Sequence, residues 1–435
     1  MTLTKHESGA PLTIGLAGFG TVGSGLVKVL TENAALIRER TGRDIRIQSV
    51  LVRDMSKARA APLPEGAKLT CDPAHLTHDP AIDVVVELMG GIQAPHALIS
   101  AALDHGKHVV TANKALLAED GAGLFLKAAE KGLALLYEAS VAGGIPIVQT
   151  LKESLAGNRI QTLMGILNGT SNYILSEMTS SGLDFDTALQ QAQNMGYAEA
   201  DPTLDIDGHD AAHKLVLLIR LAYGVEYPYV EMPVTGIRHM DKLDIIFARE
   251  FGYRIKLLGQ VRSVDGKLEA GVFPTLVHHS LLLARVGGAY NAVRVEGNAV
   301  GSLFLHGRGA GDLPTASAIM GDLLTIARNA PPHNTGFLRQ VPPKADILPP
   351  DQACSSYYVR AMVQDSAGVL RDIAGALAKE NISIAQVIQK PAEEHGVPLV
   401  FMTHSATARA IATALKAVEQ AGALRCPAVY YRVLG

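Results

Sequence analysis

Cysteine is scarce in this chain: three in 435 residues, at Cys71, Cys354 and Cys426. Their wide spacing makes neither a disulfide framework nor a metal motif, and it fits a reducing cytoplasm. Basic charge is not in excess either. With 39 Lys+Arg against 42 Asp+Glu, the net charge is −3. The chain therefore lacks the basic surplus that nucleic acid or an anionic membrane calls for. No apolar run approaches the roughly 18 residues that span a bilayer. The opening MTLTKHESGAPL has no apolar stretch of signal-peptide length. The histidines form no H-x-x-x-H pair on a helical pattern. The one doublet, His278-His279, reads as surface or packing. What is abundant is apolar: 48% of residues, enough for ordinary buried cores over two or three domains.

The most informative local feature is the glycine run in TIGLAGFGTVGSGLVKVL. A short apolar strand meets Gly18, Gly20 and Gly23, and an apolar-periodic segment (Val22, Leu26, Val29, Leu30) follows. This is G-x-G-x-x-G between a strand and a helix, the setting in which the pattern has physical meaning. Gly18 allows the tight turn, Gly20 lets backbone approach a pyrophosphate, and Gly23 lets helix and strand pack closely. The helix N-terminus then offers free N–H groups to the phosphates. The alternative is a glycine-rich turn without a ligand.

Residues 12 to about 150 alternate between strands (Thr13–Ala17, Ile45–Val52, Val84–Glu87, Lys107–Val110, Leu133–Tyr137) and helices such as Pro95–Asp104 and Ala118–Lys131. That order predicts an α/β fold, a parallel sheet covered on both faces. From 151 to 330 the pattern changes to long helices (Tyr173–Met178, Asp186–Met195, Asp210–Ala222) with strands at Gln161–Ile166 and Lys267–Val272. This reads as an α+β substrate domain. Residues 331–351 carry three Pro-Pro pairs and read as a stiff linker. Residues 352–435 follow β-α-β-β-α-β, the ferredoxin-like order, and are expected to fold as a unit of their own.

The richest chemistry lies in AQNMGYAEADPTLDIDGHDAAHK, residues 192–214. It holds Glu199, Asp201, Asp205, Asp207 and Asp210, then Lys214 at the start of an apolar helix. Asp207 is placed to cap that helix with Asp210 three residues on. Asp210 and Lys214, four apart, share a helix face. A plain reading is caps and a solvated ion pair. Against it stand the surplus of acids and the run Leu215-Val216-Leu217-Leu218, which predicts a buried helix and a partly desolvated lysine fit for proton transfer.

At these residues the chain resembles homoserine dehydrogenases. The matching set is Ala192, Gly196-Tyr197-Ala198, Asp201-Pro202, Asp205-Ile206, Gly208, Asp210 and Lys214. GLAGFGTVG (15–23), TANKALLA (111–118), EASVAGGIPIVQTL (138–151), GILNGTSNYIL (165–175) and GRGAGDLPTASA (307–318) agree as well. The tail from 364 to 384 resembles an ACT domain, with Asp365 and Gly368-Val369-Leu370 at the ligand loop. The form it resembles is monofunctional, with a C-terminal ACT domain.

The resemblance implies three domains. The first is a Rossmann-type cofactor domain (1–150, joined by part of 308–340). The second is a substrate and dimerisation domain (151–330), and the third is the ferredoxin-like ACT domain (352–435). It implies reversible hydride transfer between L-homoserine and L-aspartate 4-semialdehyde. Glu199, Asp205 and Asp210 would meet substrate, with Lys214 moving the alcohol proton. Lys114, after a strand end, would hold the substrate carboxylate or the cofactor, or share the proton transfer. The cofactor would also meet Phe19, Thr21, Val22, Gly196 and Gly311. At the end of the second strand, Arg53 favours the 2′-phosphate of NADP, while Asp54 keeps NAD open. A monovalent cation, sodium, would be held by Glu138 and the carbonyls of Val141, Gly143 and Ile145, an oxygen set that suits a hard ion. Threonine is the expected effector at the ACT loop, and a homodimer or homotetramer the expected assembly.

Two other readings compete. Aspartate-semialdehyde dehydrogenase needs a cysteine nucleophile on a strand-to-helix loop, and none of the three cysteines sits in one. A nucleotide-sensing regulator would keep the glycine turn without the 192–214 set.

Overall fold

The computed structural model describes residues 10–330, 334–339, 341–391 and 396–435. Residues 1–9 of the expected cofactor domain, and 331–333 and 340 of the expected linker, lie outside the described residues. In chain order the strands are β1 (Leu12–Ala17), β2 (Ile45–Leu51), β3 (Lys68–Thr70), β4 (Val84–Glu87), β5 (His108–Thr111), β6 (Leu135–Leu136), β7 (Ile160–Ile166), β8 (Tyr253–Val264), β9 (Lys267–His278), β10 (Tyr290–Gly297), β11 (Gly301–Arg308), β12 (Cys354–Val363), β13 (Ile384–Gln389), β14 (Val397–Thr403), β15 (Ala406–Thr407) and β16 (Val429–Leu434). The helices are α1 (Thr21–Glu32), α2 (Ala34–Thr41), α3 (Ala74–Thr77), α4 (Gln93–Asp104), α5 (Lys114–Asp120), α6 (Ala122–Glu130), α7 (Ile147–Gln149), α8 (Gly169–Ser180), α9 (Phe185–Asn194), α10 (Thr203–Ile206), α11 (His209–Tyr223), α12 (Lys242–Glu250), α13 (Leu282–Arg285), α14 (Asp312–Ala327), α15 (Val369–Lys379) and α16 (Ala408–Gln420).

The chain divides into two compact units. The first comprises Met1–Gln161, His213–Glu231 and Asn291–Lys344. Its six-stranded sheet runs β3-β2-β1-β4-β5-β6, all parallel. The strands are short and apolar because helices cover both faces; every residue of β4 is buried. One core joins β1, β2 and β4 to Leu26 of α1 and to Ala316, Ile319 and Leu323 of α14. Thus α14 returns to the sheet nearly 300 residues later. At Gly25 the packing is so close that a Cβ would lie 2.6 Å from the Asp312 carbonyl oxygen. The single helix expected over Ala118–Lys131 is two, α5 and α6. They break at Gly121, where a Cβ would lie 2.3 Å from the Leu117 carbonyl.

The second unit comprises Thr162–Ala212, Met232–Tyr290 and Ala345–Gly435. Its sheet runs β7-β8-β9-β16-β12-β14-β13. The tail has the expected β-α-β-β-α-β order and its own core, with Tyr357, Val359 and Phe401 packed on Ile373, Leu377 and Ile411. It does not stand apart, however. β16 adds in parallel onto β9, with Arg432 opposite Thr275 and Leu434 opposite Val277. The described part of the 331–351 segment is no free tether either. Leu268 N–H donates to Asp346 O at 2.7 Å and Leu348 N–H to Leu268 O at 2.9 Å. Proline removes donors, but the residues between prolines still find ladder partners. Among the described residues, no helix is long and apolar enough to cross a membrane.

Candidate active site

In the first unit the glycine turn sits between β1 and α1. Gly18 has φ +103°, and a Cβ there would lie 2.6 Å from the Leu88 carbonyl oxygen. A Cβ on Gly23 would lie 2.4 Å from Gly18 O, whereas one on Gly20 would meet nothing within 4 Å. Two glycines therefore serve the turn, and the third faces open space at the N-cap of α1. Phe19 is buried; Thr21 is exposed. Gly311, also at positive φ, caps α14.

Past the end of β2, Arg53 and Asp54 are both exposed. The Asp54 carboxylate is already engaged. It accepts the Ser56 N–H at 2.8 Å and the Ser56 hydroxyl at 2.6 Å, and these bonds hold its pKa below the ordinary value. Arg59 donates to the Asp54 carbonyl, and its Nε is buried without a hydrogen-bond partner.

The strand order turns back between β1 and β4, and open α/β sheets bind ligands at the carboxyl ends of such strands. There Glu87 closes β4. It is fully buried, accepts Thr111 Oγ1 at 2.6 Å and Met89 N–H at 2.7 Å, and is pushed up in pKa by burial. Thr111 Oγ1 in turn accepts Asn113 N–H at 3.0 Å. Asn113 caps α5, accepting Leu116 N–H at 3.1 Å and donating to Gly91 O at 2.7 Å. Lys114, half-buried, is the first residue of α5, so this lattice sets its backbone. In the sequence, Glu87 stands out only as a strand end and Asn113 only within TANKALLA. Their signal was polarity at the end of an apolar strand.

The segment expected to hold a cation forms a buried corner in the same unit. Ala142 (φ +55°) and Gly143 (φ +50°) are consecutive left-handed residues, and a Cβ on Gly143 would lie 2.4 Å from Gly309 O. Such a turn aims successive carbonyls unusually, at a cost that points to function. The buried Glu138 carboxylate accepts Val148 N–H at 2.9 Å and Gln149 N–H at 2.7 Å. Burial nonetheless raises its pKa to about 7. Buried Asp322, raised to about 8 by burial, accepts Glu138 N–H at 2.9 Å. The corner thus holds oxygen donors, carboxylate and backbone carbonyl, of the kind a hard cation takes. Among the described residues there is no group of three His, Cys, Asp or Glu suited to a metal.

In the second unit the acids converge on Asn168, which sequence reading had passed over. Asn168 caps α8 through Ser171 N–H at 2.8 Å. Its amide nitrogen donates to Asp205 Oδ1 at 2.7 Å and Asp210 Oδ2 at 2.8 Å. One amide thereby holds two carboxylates side by side. Ser171 Oγ anchors the Asp205 carbonyl at 2.7 Å. The loop bearing Gly196 is tied to α8 by Thr170 Oγ1, which donates to Tyr197 O at 2.5 Å, and by Tyr173 packed on Tyr197. Glu199 stays exposed and outside this network. Asp207 does not cap α11. It ends α10, and its carboxylate takes Arg238 at 2.8 and 2.7 Å, a charge-assisted fork stronger than an N–H cap. α11 carries both Asp210 and, one turn on, Lys214; both are buried. Replacing Asn168 by Ala should leave the Asp205 and Asp210 carboxylates to diverge. Chemical denaturation should then show a loss of about 1–3 kcal/mol, and an unchanged midpoint would reject this role.

In the tail, Asp365 and Leu370 are exposed and Gly368, at φ +96°, caps α15. Asp365 and Gly368 lie in the loop between β12 and α15, and Leu370 is in the first turn of α15.

A parallel sheet in the order 3-2-1-4-5-6 with an open glycine at its first turn is the frame of a nicotinamide-dependent oxidoreductase. Family models match it in three stretches: homoserine dehydrogenase, NAD binding domain, over 18–138; homoserine dehydrogenase over 146–324; and ACT domain over 357–423. The chain belongs to the homoserine dehydrogenase family. It is 44% identical to the homoserine dehydrogenase of Neisseria gonorrhoeae, over 97% of this chain and 98% of that one. It is 42% identical to that of Pseudomonas aeruginosa, over 97% and 99%. The crystal structure of a homoserine dehydrogenase from Thiobacillus denitrificans matches with a TM-score of 0.93 at 42% identity, covering 98% of this chain and 99% of that one. A hyperthermophilic archaeal homoserine dehydrogenase in complex with NADPH matches with a TM-score of 0.62 at 26% identity, covering 74% and 99%.

Proposed function

We propose that Lys214 moves the proton of the L-homoserine hydroxyl in reversible conversion to L-aspartate 4-semialdehyde, while Asp205 and Asp210 hold the substrate ammonium. Two carboxylates on the Asn168 amide, Asp205 from α10 and Asp210 one turn before Lys214 on α11, carry this reading. Glu199 meets the substrate from the exposed loop. Lys114 orients the substrate carboxylate at the strand ends and can share the proton transfer. Gly18 to Gly23, Gly196 and Gly311 would hold the nicotinamide cofactor, which would supply the hydride acceptor or donor. NADP is favoured over NAD, because Asp54 is committed to Ser56 while Arg53 is exposed. Absorbance at the nicotinamide band, with homoserine and each cofactor, tests this. No turnover with either cofactor, or equal turnover with other amino-alcohols, would overturn it.

In this reading, residues 1–150 with part of 308–340 bind the cofactor. Residues 151–330 bind substrate and join subunits of a homodimer or homotetramer. Residues 331–351 connect them to the regulatory domain at 352–435.

Glu138 and the carbonyls of Val141, Gly143 and Ile145 would hold the cation, sodium. Its binding carries a pH signature. A carboxyl with a raised folded pKa costs stability as pH rises from its unfolded value to about 7, because the folded state must give up a proton it prefers to keep. The cation offsets that cost only once Glu138 is ionised. Sodium, against tetramethylammonium at equal ionic strength, should therefore raise Tm more at about pH 8 than at about pH 6. Equal shifts at the two pH values would reject Glu138 as a ligand.

The ACT loop at Asp365–Leu370 takes threonine, which lowers activity by shifting a conformational equilibrium. Because β16 completes the β9 edge, the test is a point change and not a truncation. Asp365→Ala in the full chain should keep activity and lose threonine inhibition. Inhibition unchanged in that variant would place the effector elsewhere.

A further inference from the structure

Lys256, on β8, is only 3% exposed. Its ammonium donates to Asn172 Oδ1 at 3.0 Å and to Val286 O at 2.5 Å. Both acceptors are neutral, and an ammonium has a third N–H to give. Among the described residues no carboxylate pairs with it. The charge that acts on it is Arg254, of the same sign. A buried ammonium without a counter-charge is an expensive arrangement, and it calls for an anion or for loss of the proton.

Lys256 lines a cavity of about 510 Å³. Arg254, Arg249, His279, Glu177 and Ser176 share the lining. Neither arginine is paired with a carboxylate among the described residues; Arg254 Nη1 has only a 3.4 Å contact to Ala284 O. His279 uses Nδ1 on Gly252 O at 2.7 Å. Glu177, the one acid, accepts Ser181 Oγ at 3.0 Å. The walls therefore hold three cationic side chains against one carboxylate. The place is not the candidate active site. Ser176 and Glu177 lie in the second half of α8, whereas Asn168 caps its start.

We propose that this cavity binds a small phosphomonoester, with the phosphate on Lys256, Arg254 and Arg249 and the polar remainder of the molecule toward Glu177. A dianion matches the surplus positive charge. Arginine forks and an ammonium are the usual pair of phosphate ligands. The volume suits a ligand of a few carbons beside the phosphate.

The test is calorimetric titration of the full chain, already saturated with NADP so that cofactor phosphate sites are filled. The titrants are inorganic phosphate, O-phosphoserine, serine and succinate. Saturable binding of phosphate and tighter binding of O-phosphoserine are expected, with serine inert and succinate weaker than phosphate. Burial draws the Lys256 pKa down to about 7. A bound dianion should pull a proton back onto it, so heats in two buffers of different ionisation enthalpy should report proton uptake near neutrality. Lys256→Met should abolish the uptake and weaken binding about tenfold or more. Arg254→Gln, on an exposed side chain, should weaken binding comparably and keeps the test decisive if Lys256→Met fails to fold. The proposal is overturned by no saturable phosphate binding up to about 20 mM. Succinate binding as well as phosphate, or an Arg254→Gln titration indistinguishable from the unaltered chain, would overturn it equally.

Discussion

Lys214→Ala should lower kcat for homoserine oxidation by roughly 10² or more while the nicotinamide cofactor still binds. The group is buried on the first turns of α11, one turn after Asp210, on a helix whose following residues Leu215 to Ile219 are all buried. In the proposed role, removing it would leave the substrate hydroxyl without its proton acceptor and would not touch the glycine turn at Gly18 to Gly23. Cofactor affinity, followed by nicotinamide fluorescence, should stay within a few-fold. Lys214→Arg separates two roles. If the residue only supplies charge, arginine should keep most activity. If it moves a proton, arginine should fail, because a guanidinium stays protonated. Near-normal turnover in Lys214→Ala would transfer the role to Lys114. The double variant would then show whether the two lysines share one step, since groups that act together lose less in combination than their separate losses suggest.

Asp244→Ala should be the most destabilising single change in the second unit, costing about 3–5 kcal/mol. Asp244, fully buried on α12, receives Arg360 Nε at 2.7 Å and Nη2 at 2.9 Å. It also accepts the Tyr358 hydroxyl at 2.8 Å and lies 3.5 Å from that of Tyr431. Burial, and then the nearby carboxylate, hold both phenols well above the ordinary range, so they serve as donors at any working pH. The variant leaves a guanidinium that is 7% exposed inside β12 with only the Asp241 carboxylate, at 3.2 Å, of its two partners. Asp244→Ala with Arg360→Met should recover much of the loss, because the cost lies in a buried charge that has lost its closest counter-charge. Chemical denaturation measures both. If the double variant is no more stable than Asp244→Ala alone, the pair is not what holds this region. A chain cut before β12 should suffer likewise. It bares the β9 edge and leaves Asp244 and Glu269 without Arg360 and Arg432.

Much of this was legible in the order of residues. Short apolar strands alternating with amphipathic stretches dictate a parallel sheet, since nothing else buries both faces of β4. The glycine spacing dictated the turn after β1, because Gly18 and Gly23 stand where any Cβ would strike backbone. The acids and lysine of 192–214 announced chemistry through local spacing alone.

What the order of residues could not supply depends on contacts between distant segments. Asp207 satisfies every local rule for a cap, yet it turns to Arg238, thirty-one positions away, because a bidentate ion pair outcompetes one N–H. Asn168 is an ordinary helix cap until the chain folds Asp205 and Asp210 onto its amide. The tail has the pattern of a separate domain. Whether its last strand ends in solvent or on β9 is decided by the β9 edge, whose unpaired N–H and C=O groups require a partner. Local sequence sets which elements form and where they end. The partners of a side chain some 30 to 200 positions distant are set by packing, and only the tertiary structure decides them.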